Sequence, residues 1–79
     1  MILRYKNGKL SEAYHLLTDV ERESGSEGFV IPGWNRPLYR RLERLRWANQ
    51  IETHYSGPRH GKRYFITDKG KEDLNAALL

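Results

Sequence analysis

Apolar residues set the rhythm of the chain from Leu10 onward. Ala13, Tyr14, Leu17 and Val20 recur at helical spacing after Ser11, and the run stops at Ser24-Gly25-Ser26. This predicts a first helix over about 12–24 with Ser11 as its N-cap, because a serine hydroxyl can accept from the unpaired N–H groups of a first turn. A second helix is predicted from about Arg36 to Ala48 after the Ile31-Pro32-Gly33 turn. Asn35 caps it, and Pro37 is tolerated in its first turn, where N–H groups lack intrahelical partners. At about 100° per residue Leu38, Leu42 and Leu45 share a narrow arc, while Arg36, Arg40 and Arg44 point away from it. Asn49 then accepts the positive φ that ends many helices.

The period next changes to two. Ile51, Thr53 and Tyr55 alternate with Glu52 and His54, and a second run, Lys62 to Ile66, follows the turn Ser56-Gly57-Pro58-Arg59-His60-Gly61. A β-hairpin with a basic tip is expected. Thr67 caps a terminal helix with Asp68 in its first turn and Leu74, Ala77 and Leu78 as its apolar stripe. Gly70, inside that helix, costs about 1 kcal/mol relative to Ala and signals close packing against a strand. Tyr14 and Tyr64 are expected in the core. Phe29 and Phe65 are left open between core and surface.

Charge adds a direction to this pattern. Eight of the fourteen Lys and Arg residues fall between Trp34 and Arg63, where only Glu43 and Glu52 oppose them, whereas acids outnumber bases in the rest of the chain. Gathered cations beside one helix and one hairpin suit a polyanion, with nucleic acid the leading candidate. All five cations of the second helix are Arg, whose planar fork matches phosphate or the O6/N7 edge of guanine. Arg41 and Arg46 lie nearer the apolar arc, so their stems are expected over the core edge or their heads against acids of the first helix such as Glu21. Trp47 projects to the arginine side and is expected to pack under the hairpin.

Composition narrows the chemistry. Seventy-nine residues allow one domain with a thin core, taken here as 1–79, and the absence of cysteine removes disulfides, thiol nucleophiles and cysteine-ligated zinc. No apolar run approaches the roughly 20 residues of a membrane span, and the start is too brief for a signal-peptide core, so a soluble, cytoplasmic protein without membrane contact is expected. His15, His54 and His60 fall on three different elements, with no paired carboxylate at ligand spacing and no Ser or Asp partner arrangement. Neither metal binding, a cofactor nor catalysis is expected.

The order helix, helix, hairpin, helix, with arginines on the second helix, is that of an α+β winged helix-turn-helix domain. Gly8-Lys9-Leu10-Ser11-Glu12-Ala13-Tyr14, Pro32-Gly33, the Leu-Tyr-x-x-Leu-x-x-Leu helix over 38–45, Ile51-Glu52 and the Tyr-x-Ile-Thr-x-x-Gly run from Tyr64 to Gly70 resemble the PadR family of transcriptional regulators. A looser similarity runs to MarR-like proteins. The resemblance implies a dimeric repressor of transcription or ligand-responsive regulator that binds double-stranded DNA, with Tyr39, Arg40 and Arg44 on the reading helix and Arg59, Lys62 and Arg63 on the wing. Four residues, Trp34-Asn35-Arg36-Pro37, stand where the family usually has one, so the turn that enters the groove is this chain's own. The expected DNA-binding set is therefore Trp34, Asn35, Arg36, Tyr39, Arg40, Arg44, Arg59, His60, Lys62 and Arg63. Rival readings are a winged-helix protein-interaction module, an accessory DNA-binding factor of a virus or plasmid, and an RNA-binding protein.

Overall fold

The computed structural model describes residues 3–33, 35–55 and 61–78. Three helices and one antiparallel hairpin follow in the order α1 (Glu12–Ser24), α2 (Arg36–Trp47), β1 (Ile51–Tyr55), β2 (Lys62–Ile66) and α3 (Asp68–Ala77). Each helix starts where its cap dictates. Ser11 accepts from the amide of Tyr14, Asn35 from that of Leu38, and Thr67 from that of Gly70, all from extended backbone that cannot itself continue a helix. α2 stops at Trp47, one residue short of the expected end, and Asn49 takes φ 62° just beyond it. Its side chain is short enough to tolerate this left-handed geometry, which turns the chain directly into β1.

β1 and β2 pair in the register Ile51 with Ile66, Thr53 with Tyr64 and Tyr55 with Lys62. The pleat sends Tyr64 and Ile66 inward, where they meet Leu16, Leu17 and Val20 of α1, Leu42 and Leu45 of α2, and Leu74 and Ala77 of α3. Tyr64, Leu17, Val20, Leu42 and Leu45 are fully buried. Tyr14 is only half-buried, packed at the margin of this core.

Two connections bring distant segments onto this frame. Phe29 exchanges both backbone hydrogen bonds with Tyr64, each 2.9 Å, so the segment before α2 lies along the free edge of β2. Gly28 makes that approach geometrically open. Its φ is 90°, and a Cβ there would stand 2.7 Å from Cζ of Phe65. At the other end Leu3 is buried, Arg4 bridges to Leu10, and the Arg4 guanidinium donates to the carbonyls of Gly8 and Ala77. The latter bond supplies a donor to a carbonyl in the last turn of α3, where the helix has no amide left to offer.

Tyr64 carries a cost of this packing. Its hydroxyl is buried and, among the described residues, has no hydrogen-bond partner. Burial first, and then the negative charge of nearby Glu43, push its pKa up from 10.0 to about 12. A tyrosine held neutral in the fold contributes stability that is fully present below pH 10 and is lost as pH rises towards 12. Tyr64→Phe is expected to shift the alkaline unfolding midpoint, followed by circular dichroism, to higher pH, without loss of stability at pH 7.

Candidate nucleic-acid interface

α2 is the element that organises the cations. Its apolar residues turn Leu42 and Leu45 into the core, and the geometry of a 3.6-residue turn then fixes what faces away. Arg36, Arg40 and Arg44 are exposed, and among the described residues none of the three is paired with a carboxylate. Arg41 behaves differently. Its guanidinium lies 2.9 Å from the carboxylate of Glu12 on α1, so it does meet an acid of the first helix, but that acid is Glu12 and not Glu21.

Glu43 is the feature the helical wheel does not reveal. It sits on the arginine side of α2, yet it is only 9% exposed, with Tyr39 and Arg46 of the same helix and Lys62 of the hairpin gathered on it. Arg46 donates to one carboxylate oxygen, and the Lys62 ammonium stands 3.7 Å from the other. Lys62 also lies 3.4 Å from the Tyr39 hydroxyl and 5.2 Å from the centre of the Tyr39 ring. Burial raises the pKa of Glu43, but hydrogen bonds from Arg46 and Tyr39 and the charges of Arg46 and Lys62 outweigh it and hold the carboxylate below 4.5. This cluster ties the root of the hairpin to the middle of α2. It also neutralises part of the charge that Lys62 could offer a ligand.

Strand parity separates two cations that the charge count groups together. Lys62 faces α2, whereas Arg63 points to the opposite side of β2. There it donates to the Glu27 carbonyl at 3.2 Å and lies 3.7 Å from the Glu27 carboxylate. Lys62 thus joins Tyr39 and Glu43 of α2, and Arg63 does not. Asn35 uses its side-chain oxygen to cap α2. Trp34, Arg59 and His60 lie outside the described residues.

No protein-family model, no curated protein and no solved structure matches this chain. A shallow groove of about 480 Å³ along the outer side of α2 is lined by Tyr39, Arg40, Glu43, Arg44, Arg46 and Trp47. Trp47 does not pack under the hairpin. It is 70% exposed at the end of the arginine stripe. Among the described residues, no three His, Cys, Asp or Glu side chains come together as a metal ion would require, and no helix is long and apolar enough to cross a membrane. The groove offers hydrogen-bond donors and two flat rings, a set suited to an anionic ligand with planar parts.

Proposed function

We propose that this protein is a winged helix-turn-helix regulator of transcription that binds double-stranded DNA, with α2 in the major groove and the β1–β2 hairpin as the wing. The observation that carries this reading is the row of Arg36, Arg40 and Arg44, exposed along one side of a helix and unpaired with acids among the described residues. An isolated stripe of guanidinium groups repels itself, and a rod of phosphates relieves that repulsion while the forks reach base edges. The helix order and the resemblance to PadR-like proteins support the same assignment. A cytoplasmic location is part of the same proposal. A single module of this kind covers only about 600–1,000 Å² on DNA, so two copies on a two-fold site are expected, which footprinting of the bound duplex checks.

The direct test is selection of bound duplexes from a random pool, followed by gel shifts of the selected sequence. Recovery of a common sequence supports the reading, and failure to retain any duplex at low salt removes it. The Glu43 cluster adds a second expectation. Glu43→Gln releases Lys62 and Arg46 from a carboxylate and removes one negative charge from the DNA-facing side. Binding to non-specific duplex at low salt is expected to strengthen, with the slope of log K against log salt steeper by about one unit. Thermal unfolding of the same variant is expected at lower temperature, because the hairpin loses its tie to α2.

A further inference from the structure

Trp47 is the residue of α2 that points most directly away from the core. Taking about 100° per residue, it lies about 20° from Arg36 and about 20° from Arg40 around the helix, opposite the arc of Leu38, Leu42 and Leu45. Its indole is 70% exposed and borders the same groove as Arg40 and Arg44. At about 1.5 Å per residue the stripe from Arg36 to Trp47 is about 16 Å long. It ends in a large apolar ring that the fold leaves in water. A tryptophan exposed to this degree at a helix end contributes little to the core, and its flank of guanidinium groups selects an anionic surface over an apolar one.

Resting on the proposed duplex-binding function, we infer that Trp47 is a base-contacting residue. Its indole packs on the floor of the major groove against the C5-methyl of thymine and sets a preference for thymine under the last turn of α2. Arg40 and Arg44, on the turns before it, meet phosphates or guanine edges, while the ring takes the one apolar group that the groove floor displays. For this to hold, α2 must lie along the groove over its whole length, with its C-terminal half as well as its first turn against DNA. The tip of the helix alone would leave Trp47 outside.

The experiment uses the full chain and the duplex selected above, with each thymine replaced in turn by deoxyuridine, which removes the methyl and leaves protein and base pairing intact. Wild-type binding is expected to fall about fourfold at one or two adjacent positions, the weight of a single buried methyl-sized contact. Trp47→Ala is expected to bind about tenfold more weakly and to be indifferent to deoxyuridine at those positions, and Trp47→Phe to fall between. Circular dichroism of both variants should match wild type, since the ring is exposed. A selected site bound equally by wild type and Trp47→Ala, or a wild type unaffected by every deoxyuridine, would overturn the inference and leave the duplex-binding reading standing. A wild type that retains no duplex would overturn both.

Discussion

Replacing Arg40 and Arg44 together by Ala is expected to weaken binding to the selected duplex about 100-fold or more while leaving the fold intact. Both side chains are exposed, and among the described residues neither is paired with an acid, so their removal costs no internal contact. Surface changes of this kind usually stay within about 0.5 kcal/mol of stability. In the complex each guanidinium that makes a bidentate contact is worth about 1–3 kcal/mol, and two of them account for the expected loss. The slope of log K against log salt should flatten by about two units per bound copy if both heads meet phosphates. Arg40→Lys with Arg44→Lys separates charge from shape. The ammonium keeps the salt dependence but lacks the fork, so non-specific binding survives while preference for the selected site falls. Arg41→Ala serves as the internal comparison, because that guanidinium is already held by Glu12 at 2.9 Å. Its binding is expected to stay within about twofold of wild type, read by the same gel shifts.

Gly70→Ala is expected to lower the thermal unfolding midpoint by about 10 °C, and Gly70→Val by more. Two effects oppose each other here. Alanine gains about 1 kcal/mol over glycine in a helix interior. Against this, a Cβ at Gly70 collides with the Gln50 carbonyl oxygen and comes within 2.7 Å of Cγ1 of Ile66. The carbonyl cannot swing aside, because it accepts from the amide of Thr67 at 3.1 Å and joins the first turn of α3 to the start of β1. Forcing α3 outward opens the core around Ile66, Leu74 and Ala77. Overpacking of backbone commonly costs about 1–3 kcal/mol, and here the upper part of that range applies, so the collision outweighs the gain in helix propensity. In a small domain each kcal/mol moves the midpoint by about 4–8 °C, which differential scanning calorimetry resolves.

What could be read from the sequence was local. Ser11, Asn35 and Thr67 cap helices because a short polar side chain can satisfy an amide three residues on, and Asn49 turns the chain because its own side chain tolerates a positive φ. The two strands followed from alternation, and the close packing of Gly70 from its position inside a helix that would otherwise disfavour it. The arginine stripe followed from the angle per residue alone. Contacts set by tertiary packing were not legible. The donation from Arg4 to the carbonyl of Ala77 joins residues 73 apart, and the pairing of Phe29 with Tyr64 depends on a turn at Gly28 closing under the Phe65 ring.

The same limit applies within the site. Glu43 stands among arginines on the wheel, where its i,i+3 pair with Arg46 is local, but its contact with Lys62 comes only from the hairpin. Lys62 and Arg63 form a basic pair by charge, but the alternation of β2 sends them to opposite sides, and the period-two signal could have separated them. Exposure of Trp47 required knowing that Lys62 of the hairpin lies against Tyr39 and Glu43, while Trp47 is left 70% exposed.

Neutralisation of phosphates by the outer side of α2 is the step on which the proposed function rests. Its most direct measurement is the affinity of the wild-type chain for one duplex across a range of salt concentrations. Arg36, Arg40 and Arg44 on each of two bound copies neutralise about six phosphates, which gives a slope of log K against log salt near −5, and that is the expected result. Binding that is absent at low salt, or that holds steady as salt rises, would contradict it.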